Sequence, residues 1–230
     1  MSAPELLGPP AGQLEVVDDV ATAFAGVVAR VVGSAGHRVR LALSGGETAR
    51  ACYERLARQD GIDWSKVECL VGDERCVPPA DPDANQRLIR QSLVERVPVA
   101  AFHPMDCERA GDYEAMLAEG PLDLVHLGLG PDGHTASLFS HSPALDSPPG
   151  RLVVRTVDPS GRNPYERLSL TFEAIARSRL VVFTVSGASK HEALHRLLTG
   201  EDLPAARVRA GEVLWLCDRE ALGEDLGRLG

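Results

Sequence analysis

Lysine is nearly absent: of 24 basic residues only Lys66 and Lys190 are lysines. The basic residues are scattered and outnumbered by 33 acidic ones, for a formal charge of −9. That balance excludes the broad positive face of a nucleic-acid binder and leaves room only for a local basic pocket. No segment is apolar for long enough to span a membrane, and "MSAPELLGPPAGQLEVV" lacks a basic stretch followed by an apolar run. A soluble, cytoplasmic protein is expected. Five cysteines, an odd number, are widely spaced without a C-x-x-C pair. This argues against a disulfide framework or a zinc knuckle and predicts that most of them are small core residues. Zinc-protease H-E-x-x-H, serine-hydrolase G-x-S-x-G and P-loop patterns are all missing, as are internal repeats. Neither a metal ligand set nor an obligate protein partner is indicated.

What the chain does contain is an alternation. Short apolar runs at 14–17, 39–44, 67–72, 122–128, 151–157, 180–186 and 212–217 are unbroken, as in strands buried on both faces. Helical patterns lie between them at 19–32, 48–59, 85–97, 111–119 and 189–200. The order predicts an α/β fold: one domain over residues 1–230, with a mostly parallel, Rossmann-like sheet and helices on both faces. The proline-rich stretches "VPPADPD" and "SPALDSPPG" are short enough to be ordered loops. In such a fold ligands gather beyond the C-terminal strand ends, where the loops "SGGET", "GDERCVPPADPDAN", "GLGPDGHTAS" and "SGASK" follow strands.

The spacing Gly128-x-Gly130-x-x-Gly133 has the form of a dinucleotide fingerprint, and Asp158 lies 25 positions further on, at a strand end. Two features oppose that use. Asp132 places a carboxylate where a pyrophosphate would sit, and the motif comes midway along the chain. A pocket for a reacting group suits this loop better. Two residues after Asp132, His134 can be held by that carboxylate as a general base, although a histidine at a helix start is often only a cap-region residue. His126, inside an apolar run, reads as a satisfied core residue, and His141 takes the same default.

Ser44, Gly45 and Gly46 stand between a strand and a helix, where open backbone N–H groups suit a phosphate, or equally where a plain tight turn would do. Lys190 opens a helix and is either a surface residue or a cation aimed at an anion on the same rim. Asp73, Glu74 and Arg75 form either a structural ion pair or an acid beside a phosphate-holding arginine. Arg167 is ambiguous in the same way.

Taken in order, "LALSGGET", "VGDERCVPPADPDAN", "LGLGPDGHTASLF", "RLSLTFEAI" and "GASKHEAL" resemble the 6-phosphogluconolactonase family, which shares a superfamily with glucosamine-6-phosphate deaminase. The similarity runs from about residue 14 to residue 220. It implies hydrolysis of 6-phosphogluconolactone to 6-phosphogluconate in the oxidative pentose phosphate pathway, without metal or nucleotide cofactor. It further implies His134 as the base and Asp132 and Asp73 as groups orienting base and substrate. Ser44, Gly45, Gly46, Arg75, Arg167 and Lys190 would hold the phosphate or the sugar. The deaminase carries a glutamate in the segment after its histidine, whereas "HTASLFSHSPAL" has no carboxylate before Asp146, which favours the lactonase. A non-catalytic sugar-phosphate sensor is the remaining rival, and the intact Asp132/His134 pair opposes it.

Overall fold

The computed structural model describes residues 8–223; the first and last seven residues, and so the ends of the expected domain, lie outside the described residues. Ten strands are present among the described residues: β1 (Gln13–Val16), β2 (Val39–Leu43), β3 (Val67–Val71), β4 (Asp73–Arg75), β5 (Ala101–His103), β6 (Leu124–Gly128), β7 (Val153–Thr156), β8 (Arg167–Leu170), β9 (Leu180–Val185) and β10 (Glu212–Cys217). The helices are α1 (Val20–Ser34), α2 (Glu47–Leu56), α3 (Asn85–Ile89), α4 (Ala110–Ala118), α5 (Phe172–Ala176), α6 (His191–Leu198) and α7 (Arg219–Leu222).

Seven strands form one sheet in the order β1-β10-β9-β6-β2-β3-β5, with every pairing parallel. Consecutive residues of β6 and β9 are buried, so both faces of the sheet are covered, as their unbroken apolar runs require. From β2 the chain builds outward through β3 to β5. It then returns to the other side of β2 to lay down β6, β9 and β10. The strand order therefore reverses between β2 and β6, and the loops leaving these two strands diverge to open a crevice.

Local signals explain the element ends. Asp19 caps α1 by accepting the Thr22 N–H at 2.6 Å, and Val20, Phe24, Val27, Val28 and Val32 recur at helical spacing on its buried face. Thr171 and Asp218 cap α5 and α7 in the same way. The pattern at 85–97 departs from a plain α-helix: α3 passes at Arg90 into a π-turn running to Val94, where the Ser92 hydroxyl donates to the Leu88 carbonyl at 2.6 Å.

Three departures from the sequence reading matter. The run at 151–157 is a strand, but β7 does not join the main sheet. It pairs antiparallel with β8, which pairs antiparallel with β4, as a separate three-stranded sheet. Cys52, Cys69 and Cys217 are buried and free, as expected, whereas Cys76 and Cys107 form a disulfide with Cα atoms 5.6 Å apart. Parallel pairing of β3 with β5 brings the segments beyond their ends side by side, a proximity that the 31-residue separation conceals. His141 is exposed with φ +63°, so it is not a core residue. Among the described residues no helix is long and apolar enough to cross a membrane.

Candidate active site

Eight of the nine singled-out residues line one cavity at the β2/β6 crevice: Ser44, Gly45, Gly46, Asp73, Arg75, His134, Arg167 and Lys190. Asp132 is the ninth, and it is hydrogen-bonded to His134. The small antiparallel sheet contributes Asp73 and Arg75 from β4 and Arg167 from β8, and Arg75 pairs in register with Arg167.

The loop after β6 is shaped around the imidazole. His134 Nδ1 lies 2.5 Å from Asp132 Oδ1, which also accepts the His134 backbone N–H at 3.2 Å. An ionised carboxylate only accepts, so Nδ1 carries a proton, and in the neutral imidazole the lone pair is then on Nε2. The bond from His134 draws the Asp132 carboxyl down to about 2. Gly130 is required because a Cβ there would overlap the His134 ring. Phe139 packs against the same ring, with centroids 4.8 Å apart. Gly130 thus serves the histidine, and Gly133, at φ +84°, makes room for Leu203. Asp158, the would-be ribose acid, is bound into its own loop by Ser160 and Asn163.

After β2 the chain turns through Gly46, whose φ of +101° is left-handed and suits glycine, and enters α2 without a side-chain cap. The Ser44 side chain is turned inward. Its hydroxyl donates to the His126 carbonyl at 2.7 Å, and its N–H donates to the Tyr53 hydroxyl at 2.9 Å. Both of its donors are therefore already used.

Cationic groups crowd the same cavity. Arg167 is buried, with Nη1 3.8 Å from Asp73 Oδ2, and burial lowers its affinity for the proton. Arg75 is braced by the Asp83 carbonyl, to which Nη1 donates at 2.6 Å. The Nε atoms of both arginines are buried without a hydrogen-bond partner. Lys190 donates to the Leu129 carbonyl at 2.7 Å, and burial pushes its ammonium pKa down. Asp73 accepts from the Ser137 hydroxyl at 2.7 Å. Glu74 takes no part in an ion pair with Arg75. Its buried carboxylate instead receives the N–H groups of Arg75, Asn85 and Gln86, and so anchors the start of α3.

Asn85, Thr184 and Ser137 had no distinguishing signal in the sequence. Asn85 lines the cavity and donates from Nδ2 to the Asp73 carbonyl at 2.8 Å. Among the described residues no group of three or more His, Cys, Asp or Glu side chains is placed to hold a metal ion.

The sequence pattern of the family described as glucosamine-6-phosphate isomerases/6-phosphogluconolactonase matches residues 12–215. The chain belongs to this family. Within the glucosamine-6-phosphate isomerase/6-phosphogluconolactonase family, a 6-phosphogluconolactonase of Synechocystis sp. is 39% identical over 208 residues, covering 81% of this chain and 84% of that protein. The crystal structure of a 6-phosphogluconolactonase from Thermotoga maritima superposes with a TM-score of 0.78 at 29% identity, covering 89% of this chain and 98% of that one. One from Leishmania guyanensis shares the fold, with a TM-score of 0.82 at 24% identity over 93% of this chain and 98% of that one.

Proposed function

We propose that this protein hydrolyses 6-phosphogluconolactone to 6-phosphogluconate, the sugar-acid step of the oxidative pentose phosphate pathway. The observation that carries the reading is the His134–Asp132 pair at 2.5 Å, set in a crevice that also collects Arg75, Arg167 and Lys190.

A lactone is an activated ester, so water attacks it once a base takes the water proton and donors steady the oxyanion. His134 Nε2 is that base. Asp132 stabilises the imidazolium as it forms, and the imidazolium then returns its proton to the departing ring oxygen. Asp73, held by Ser137 and Arg167, orients the substrate. The phosphate lies against Lys190, the two arginines and the start of α2. Because the Ser44 donors are occupied, that loop offers an anion backbone N–H groups from Gly45 onward, and the serine's part is to fix the turn. The whole reaction is the work of one domain and calls on no metal or nucleotide.

The test is a coupled assay with freshly made 6-phosphogluconolactone, corrected for spontaneous hydrolysis, with glucosamine 6-phosphate in parallel. Turnover of the lactone alone is expected. Ammonia release from glucosamine 6-phosphate would move the assignment to the deaminase branch, and binding of either compound without turnover would make the protein a sensor.

A further inference from the structure

Behind the β2 loop lies a buried polar chain with no part in the reaction just described. Tyr53, on α2, is fully buried, and its ring lies edge-on to Phe24 and to His126. Its hydroxyl has three neighbours: the Ser44 N–H at 2.9 Å, the Ser44 carbonyl at 2.9 Å and His126 Nδ1 at 2.8 Å. On its other side the His126 ring places Nε2 2.8 Å from the Thr184 hydroxyl.

Only one placement of the protons satisfies every one of these groups. A phenol has one hydrogen to give and can accept two. The Ser44 N–H can only donate, so the phenol oxygen accepts it. The Ser44 carbonyl can only accept, so the phenol hydrogen goes there. His126 Nδ1 must then be a donor, and Nε2 is left bare to accept from Thr184. With the opposite tautomer the phenol hydrogen would turn to Nδ1, and the Ser44 carbonyl would lose its bond. Burial pushes the His126 imidazolium pKa down to about 3, so the ring is neutral at ordinary pH and has a single proton to place.

We propose that His126, as the neutral Nδ1–H tautomer, is a positioning residue that acts through Tyr53 to lock the N–H and the C=O of Ser44, on the two peptide groups that flank it, and so aim the backbone donors of the phosphate loop. The proposal rests on the phosphate assignment made above. An apolar residue would fill the volume of His126 and stack on Phe24, where the ring centroids are 4.2 Å apart, but it would remove the donor that pins the phenol oxygen from its third side. A loop whose N–H groups wander binds an anion more weakly, because the ordering is then charged to binding.

Two measurements test it. Nitrogen-15 NMR of the wild-type protein reads which ring nitrogen of His126 carries the proton; Nδ1 is expected, and a proton on Nε2 overturns the proposal without any variant having to fold. Steady-state kinetics on the phosphorylated lactone and on the same lactone lacking phosphate then test the role. His126→Leu and Tyr53→Phe are expected to raise KM for the phosphorylated substrate by about fivefold to tenfold, with kcat and the unphosphorylated substrate little changed. His126→Asn, whose amide nitrogen stands where Nδ1 does, should restore most of the loss. Equal losses on both lactones, or a fall confined to kcat, would overturn the role. Lys190→Ala serves as the control. If it separates the two lactones and His126→Leu does not, the positioning role alone is wrong. If neither separates them, the phosphate assignment falls and the proposal falls with it.

Discussion

Asp132 Oδ1 receives both the side-chain Nδ1–H of His134 at 2.5 Å and its backbone N–H at 3.2 Å. One carboxylate oxygen thereby sets the tautomer of the ring and the conformation of the turn that carries it. Replacing the imidazole should remove the base and leave the anion-binding groups in place. His134→Ala is expected to lower kcat by about 10²–10⁴-fold with binding of 6-phosphogluconate retained. Unchanged kcat in a folded variant would take His134 out of the mechanism.

The ring's position is a second variable. A methyl group at Gly130 would overlap the His134 imidazole, and φ there is not left-handed, so the backbone itself tolerates alanine. Gly130→Ala should reduce kcat by about tenfold to a hundredfold through displacement of the base, with a melting temperature close to wild type. A large loss of stability with normal kcat would contradict this account of the glycine.

Lys190→Ala separates binding from chemistry. Under the proposed function the ammonium faces the remote phosphate and would act alike in ground and transition states. A charge-assisted contact is worth about 1.5–3 kcal/mol, so KM for the phosphorylated lactone should rise about ten- to a hundredfold while kcat changes little. A lactone without phosphate should be nearly indifferent to the change. Equal impairment of the two would place Lys190 at the reacting carbonyl or in folding.

Acid stability reports on the Asp132–His134 pair. The Asp132 carboxyl is drawn from its ordinary 3.8 down to about 2 by the bond from His134. A group depressed in this sense contributes stability above its unfolded value that is lost as pH falls toward the folded one. Wild type should therefore exceed Asp132→Asn in urea-melt stability at about pH 5, with the gap closing as pH approaches about 2. A gap that stays constant over this interval would mean that Asp132 is not ionised against His134.

Much of the architecture is legible in one dimension because its causes are local. The runs at 39–44, 67–72 and 180–186 are unbroken because strands covered on both faces need no polar side, and β2, β3 and β9 follow them to within one residue. The "SGGET", "GPDGHT" and "SGASK" loops could be placed at the functional rim for a related reason: each follows a parallel strand, and parallel strands end at the same edge. Pairing between distant segments could not be read that way. β4 and β5 are three residues long, too short for a period, and β7 gives no sign that it leaves the main sheet for β8. That detached sheet carries Asp73, Arg75 and Arg167, so the tertiary fold alone brings the two arginines together and leaves their Nε atoms buried and unpaired. The same holds for Cys76 with Cys107, and for Tyr53 with His126 and Ser44, where residues 31, 73 and 82 positions apart meet because β3 adjoins β5 and β6 adjoins β2. The residue types that can do the chemistry are written along the chain, but their distances from one another follow from strand order, which is settled by the burial of the whole sheet.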